Sequence, residues 1–208
     1  CDASYFDPIA GAEDKHFWFR ARRKLIATAL RSLVAERMTA PRVLEIGCGT
    51  GNVTRTLIEV CGADAVTAME PQDEAVAIAQ KKLPCRVVKG DLQYPPDLGT
   101  FPIVGMFDVL EHIDDDEATL RWAASVLEPG GVFVATVPAH PFLFDEADVL
   151  AFHRRRYRRH ELDLRLRRAG FEVRLLTHFM APLVPMLIVS RAVGKLLRGG
   201  RSLATHRQ

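Results

Sequence analysis

Residues 43–53 read VLEIGCGTGNV, with Gly47, Gly49 and Gly51 packed into five positions directly behind a hydrophobic run. Arg42-Val43-Leu44-Glu45-Ile46 reads as a buried strand, because Pro41 stops any preceding helix and the run is apolar and β-branched. Asn52 to Val60 then reads as a helix. Glycines between a strand and a helix let the backbone turn tightly and approach a ligand closely. Several ligand classes use that device, so the neighbouring segments must discriminate among them.

Outward from this turn the pattern alternates. A first helix is expected from about Asp14 to Arg37, where Phe17, Leu25, Ile26, Leu30, Leu33 and Val34 recur at helical spacing. Ala65–Met69 reads as a second strand, and Asp73-Glu74 opens a helix to about Lys82, acid first as the helix dipole favours. Cys85–Lys89 and Phe101–Phe107 read as further strands, with Pro102 arguing for an edge or strand-start position. Asp114 to Leu127 reads as a helix, Pro129-Gly130-Gly131 as a turn, and Val132–Val137 as the fifth strand. Such alternation predicts a Rossmann-like α/β fold, a doubly wound and mostly parallel sheet that binds ligands outside the carboxyl ends of its strands.

Composition restricts the function classes. At 208 residues the chain can bury one substantial core, and a net charge of +2 gives no general case for nucleic acid. Cys1, Cys48, Cys61 and Cys85 show no metal-like spacing, which favours reduced thiols and a cytoplasmic setting. The acidic, aromatic start lacks a secretory pattern, and residues before Cys1 are expected.

A strand, glycines and a helix suit dinucleotides or S-adenosylmethionine. The dinucleotide pattern G-x-G-x-x-G fits Gly47 and Gly49 but meets Asn52 at its last position. Glu45, two residues before the first glycine, would repel a pyrophosphate yet suits a ligand carrying an ammonium and a sulfonium.

The pieces VLEIGCGTGNVT, VTAMEPQDEAVAIAQ, VVKGDLQYP, DVLEHIDDDEATLRWAASVLEPGGVFVATVP and AGFEV follow one another in order. Together they resemble the class I S-adenosylmethionine-dependent methyltransferases over roughly residues 42–178. The resemblance implies a cofactor site in which the loop through Gly47, Cys48, Gly49 and Gly51 runs under the methionine part. Glu70 and Pro71 would meet the ribose, Asp91 and Leu92 the adenine, and Phe107 and Asp108 the sulfonium. A carboxylate at Glu70 offers two acceptors to two adjacent hydroxyls. The chain departs from the family at Pro102, where an Asp is usual. By this division residues 1–41 form a helical lid and 42–178 the core, with an acceptor-side insertion at 138–160. Residues 179–208 form an apolar and basic tail. Trp18 and Arg22 are candidates to cover the cofactor; the alternative is that Trp18 and Phe19 simply anchor the first helix on the sheet.

Methyl transfer needs a base only where the acceptor must lose a proton. His112, just past the fourth strand, is the candidate general base, since its ordinary pKa near 6.5 suits neutral pH. The alternative is a structural corner. The stretch is also similar to the E-x-x-E-H metal motif of ubiquinone-biosynthesis O-methyltransferases, which would place a divalent metal on Asp108, Glu111 and His112; no metal is expected. His140, Phe142, Phe144, His153, Arg155 and Tyr157 are candidate acceptor contacts, mixing apolar walls with polar anchors.

Eight arginines lie between 153 and 168 and read either as a solvated helix face or as an anion site. The base-methylating relatives carry [DN]-P-P-[YF] where this chain has Asp108-Val109-Leu110-Glu111, so nucleic acid is not the expected partner. Leu175–Ser190 is uncharged and mostly apolar, and basic residues follow it. At 16 residues it is short of the ~20 that span a bilayer. Residues 175–201 could pack on the domain, pair two copies, or lie on a membrane surface. The expectation is a methyltransferase acting on a small or lipid-like acceptor, at oxygen. S-adenosylhomocysteine would be the product, and the enzyme could be peripheral at the membrane. The rivals are a dinucleotide-dependent oxidoreductase and a cofactor-binding subunit without turnover.

Overall fold

The computed structural model describes residues 16–37, 41–179, 181, 184–185 and 189. Helix α1 (Phe17–Arg37) leads into strand β1 (Val43–Ile46), α2 (Asn52–Cys61), β2 (Val66–Glu70), α3 (Asp73–Lys82) and β3 (Arg86–Lys89). Strand β4 (Phe101–Phe107), α4 (Asp116–Ser125), β5 (Leu127–Thr136), α5 (Glu146–Leu150) and α6 (Arg159–Arg168) complete the order. The five strands pair in parallel in the order β3-β2-β1-β4-β5. The chain reverses its winding between β1 and β4, and the carboxyl ends of those two strands form the crevice where this architecture binds ligands.

Burial explains the strands. All four residues of β1 and all five of β2 are buried, as a strand covered on both faces requires. One face carries Ile26, Leu30, Val53 and Leu57 of α1 and α2 against Val43, Val66, Ile103 and Phe107. The other packs Leu44, Ile46, Met106, Leu110 and Leu120 with Tyr157 and Leu162.

Three local readings are corrected. Pro102 lies in an interior strand, and a register shift between Phe101 and Ile103 absorbs its missing donor; the strand-start reading stands and the edge reading does not. Helix α4 starts at Asp116, capped by Asp115, and ends at Ser125. Strand β5 already begins at Leu127, which pairs with Phe101, so Pro129-Gly130-Gly131 is part of the strand path. Among the described residues Phe171–His178 forms no regular element. Most of the 179–208 tail, and the helix start at Asp14, lie outside the described residues.

Candidate functional site

The glycine loop is hung from the neighbouring strand. Gly47 and Cys48 both donate to the Met69 carbonyl, at 2.8 and 3.0 Å. Gly49 donates to the Glu70 carboxylate at 2.9 Å, and Gln72 donates to its other oxygen at 3.2 Å. Gly47, at φ +74°, would place a Cβ 2.6 Å from Val109, so neither conformation nor space admits a side chain. A Cβ at Gly49 would meet nothing within 4 Å, because its open side faces the cavity.

The cavity above the strand ends is lined by Trp18, Arg22, Glu45, Gly47, Cys48, Gly49, Glu70, Pro71, Asp91, Leu92, Phe107 and Asp108. Of the expected cofactor residues, Gly51 alone is elsewhere. It caps α2 at φ +87°, and its missing side chain makes room for Leu83, to which a Cβ would come within 2.6 Å. Asn52 lines the cavity instead, buried, with both amide atoms lacking a partner. The sequence reading noticed Asn52 only as a departure from a glycine pattern.

Glu45 is 2 % exposed, and its Oε2 has no partner in the protein. Desolvation pushes its pKa up to about 8, against the pull of Thr54 and Arg22. Burial likewise raises Glu70, although the Gly49 and Gln72 amides pull it back. Desolvation also raises the Cys48 thiol, with Glu45 and Glu70 adding to it, so the thiol stays protonated. Orphaned carboxyl and amide groups beside a glycine-rich loop fit a ligand with an ammonium, a carboxylate and a ribose.

Asp108, directly after β4, has φ +56°, donates its amide to the Thr136 carbonyl at 2.9 Å, and accepts the Thr136 hydroxyl at 2.8 Å. Its second carboxylate oxygen takes the buried Arg22 guanidinium, which ties α1 across the cavity. Trp18 packs on Phe179 at 5.3 Å between ring centroids. Asp108, His140 and Phe152 are the non-glycine residues with left-handed backbone among those described, and all three line the cavity. Such conformations concentrate where function over-determines the chain.

The acceptor side differs more from expectation. His140 and His153 line the cavity, and His140 stacks on His178 at 4.9 Å. Phe142, Phe144 and Arg155 do not line it. The two phenylalanines project into solvent, and Arg155 is held by the Asp116 carboxylate at 3.3 Å and the Asp114 carbonyl at 2.9 Å. Tyr157 lines the cavity, but its hydroxyl is spent on Asp116 at 2.8 Å and Leu110 at 3.1 Å. Burial and Asp116 push that phenol up, so it serves as structure.

The arginine-rich stretch turns out to be largely neutralised within the fold. Arg154 pairs with Asp114, Arg165 with Asp116 and Glu117, Arg156 with Asp148, and Arg167 with Asp163. The acidic opening of α4 is its main partner.

Glu111, His112 and His153, rather than Asp108, Glu111 and His112, bring ligand-type atoms within 4.8 Å of one another. Asp108 is taken up by Arg22 and Thr136. His112 lies at the rim with Nδ1 3.2 Å from the Phe152 carbonyl. Partial burial and the neighbouring His153 hold its pKa below the ordinary histidine value, so it is neutral at pH 7.

A family model described as a methyltransferase domain matches residues 18–176. The chain belongs to the class I S-adenosylmethionine-dependent methyltransferases. A protein of Mycolicibacterium smegmatis named "Probable S-adenosylmethionine-dependent methyltransferase" is 30 % identical over 169 residues, covering 79 % of this chain and 63 % of its own. The ubiquinone biosynthesis O-methyltransferase of Xanthomonas campestris is 36 % identical over 121 residues, covering 53 % of this methyltransferase and 50 % of its own length. The chain thus spans between about half and two thirds of these relatives. A solved methyltransferase of Clostridium acetobutylicum shares the fold at a TM-score of 0.64 and 17 % identity, over 82 % of this chain and 89 % of its own. S-adenosylmethionine is accordingly the cofactor of this methyltransferase. Glu45, the glycine loop, Asn52 and Glu70 share the cavity above the strand ends.

Proposed function

We propose that this methyltransferase transfers a methyl group to a hydroxyl of a small, lipid-like acceptor. The observation that carries the reading is the composition of the cavity beyond Asp108. Trp18, Leu143 and Phe179 give it apolar walls, and Glu111, His112 and His153 give it one polar corner. An apolar body with one reacting polar atom suits such a space.

Glu45 and Asn52 would hold the amino-acid end of the cofactor and Glu70 the ribose, with Asp91 and Leu92 at the base. When bound, the cofactor supplies an electrophilic methyl on a sulfonium that leaves as a neutral thioether. The protein then has to place the acceptor oxygen in line, exclude water and take its proton. Positioning of this kind contributes up to roughly 7–11 kcal/mol. The Arg22–Asp108 pair closes one side of the reacting space.

A lipid-like acceptor is further favoured by Phe142, Phe144, Val149, Leu150 and Phe152, all exposed between residues 142 and 152 beside the acceptor side of the cavity. Among the described residues no helix is long and apolar enough to cross a membrane. The membrane contact proposed for 175–201 falls mostly outside them. A dinucleotide cofactor is disfavoured by the buried Asn52, which stands where the pattern G-x-G-x-x-G needs its last glycine.

The test uses methyl-labelled S-adenosylmethionine, the purified protein and a cell extract, with products split between organic and aqueous phases. Label in the organic phase supports this reading. Label only in the aqueous phase overturns the lipid-like acceptor, and label on amines overturns oxygen.

A further inference from the structure

His153 is the most firmly oriented histidine at the cavity. The chain turns back after α5 at Phe152, with φ +60°, and the His153 amide donates to the Asp148 carbonyl at 2.8 Å. This folds the ring onto the Asp148 carboxylate, Nδ1 to Oδ1 at 2.9 Å. Asp148 is itself buried and built in. Its Oδ1 accepts Arg156 Nε at 2.8 Å and its Oδ2 accepts the Asp145 amide at 2.9 Å. Arg156 is braced in turn on the Ala139 carbonyl at 3.2 Å. Hydrogen bonds from Arg156, Asp145 and His153 hold Asp148 below the ordinary carboxylate range despite its burial, so it is ionised at neutral pH. An ionised partner on Nδ1 keeps the proton there and leaves the Nε2 lone pair free.

Nε2 of His153 points toward Glu111, whose Oε1 is 3.9 Å away. Glu111 is fully buried, and neither of its carboxyl oxygens has a partner. A buried carboxyl left without partners in a cavity wall marks a place for a ligand's polar atom. Two groups 3.9 Å apart can both reach one oxygen at the ordinary hydrogen-bond spacing of about 2.8 Å. His112 is placed less well. Its Nδ1 is spent on the Phe152 carbonyl at 3.2 Å, and no carboxylate orients it.

We propose that His153, oriented by Asp148, is the general base for the acceptor hydroxyl, and that Glu111, next to it, positions the same oxygen. The assignment rests on the reading of methyl transfer to oxygen. The hydroxyl proton moves to Nε2 of His153, and the oxygen's electron pair forms the new carbon–oxygen bond. The pair of the broken carbon–sulfur bond stays on sulfur. The charged and titratable groups facing this step are Glu111, His112, Asp148 and Arg156, with Arg22 behind Glu111. Desolvation pushes Glu111 up to about 8, so at pH 7 it is mainly a neutral acid that can donate to the oxygen.

The experiment compares wild type, His153→Ala, His112→Ala and Asp148→Asn, each saturated with S-adenosylhomocysteine and checked for folding by its binding. Imidazole nitrogen shifts, recorded without any acceptor, read the tautomer of His153. The expected result is a proton on Nδ1 and none on Nε2 in wild type, with that preference lost in Asp148→Asn. A protonated Nε2 in wild type overturns the proposal. Label transfer from methyl-labelled S-adenosylmethionine into the extract is then expected to fall about 10²–10⁴-fold in His153→Ala. Affinity for S-adenosylhomocysteine should be retained, and added imidazole should restore part of the rate. In His112→Ala the fall should be smaller than tenfold. His153→Ala matching wild type overturns the assigned base. A wild type that labels nothing defeats instead the methyl-transfer reading on which the assignment rests.

Discussion

Glu45→Gln separates what this carboxyl does for the fold from what it does for the ligand. Glu45 sits in a fully buried strand with its Oε2 unpartnered, and its pKa rises from about 4.5 to about 8 through desolvation. In the unfolded chain it ionises near 4.5; in the folded protein it stays protonated until about 8. The native state therefore binds one more proton across that window, so stability falls as pH rises through it. At about 1.36 kcal/mol per unit, the accumulated cost at pH 8 is on the order of 3–5 kcal/mol. Glutamine mimics the protonated acid and escapes this cost. Glu111, pushed up to about 8 by its own burial, behaves alike in both proteins and cancels. Guanidinium unfolding at pH 4.5 and at pH 8 is the assay. Glu45→Gln should match wild type at pH 4.5 and exceed it by at least about 2 kcal/mol at pH 8. Its affinity for S-adenosylhomocysteine should be lower, and should lose the rise from pH 6 to pH 8 that the wild type shows as Glu45 ionises against the ligand's ammonium. A variant less stable than wild type by the same amount at both pH values would refute the reasoning.

Two further substitutions test neighbouring parts of the account. Gly47→Ala must adopt φ +74° and place its Cβ 2.6 Å from Val109. It should therefore lose about 2–4 kcal/mol of stability, read by denaturant unfolding, and Val109→Ala in the same chain should recover part of that loss. Tyr157→Phe removes a buried hydroxyl bonded to Asp116. It should cost about 1–2 kcal/mol, seen as a lower thermal midpoint, while S-adenosylhomocysteine affinity stays within twofold. A large loss of affinity there would make Tyr157 part of the site rather than of its support.

The glycine loop, the carboxylate ending β2 and the order of the first four strands were legible because each is a local signal. A turn needs glycine where φ is positive, and a fully buried strand needs an unbroken apolar run. The end of α4 and the start of β5 were misread because Pro129-Gly130-Gly131 looks like a turn in isolation. Pairing of Leu127 with Phe101 overrides that local preference. The arginine-rich stretch was left between two readings because nothing local says that Arg165 meets Asp116, 49 positions away in the chain. Gly51 and Asn52 have the same cause, since sequence order does not tell which loop residue faces inward. His153 was singled out as an acceptor contact, but its dependence on Asp148 needed the reversal at Phe152, a left-handed turn at a residue type that rarely adopts one.

The most direct test of the central claim is calorimetric titration of the wild-type protein and of Glu70→Ala with S-adenosylhomocysteine, with NADH as the comparison ligand. The account predicts one site for S-adenosylhomocysteine and none for NADH. Affinity should fall at least tenfold in Glu70→Ala, whose carboxylate both holds the Gly49 amide and would accept the ribose hydroxyls. No binding of S-adenosylhomocysteine by a folded wild type, or equal affinity in Glu70→Ala, would contradict it.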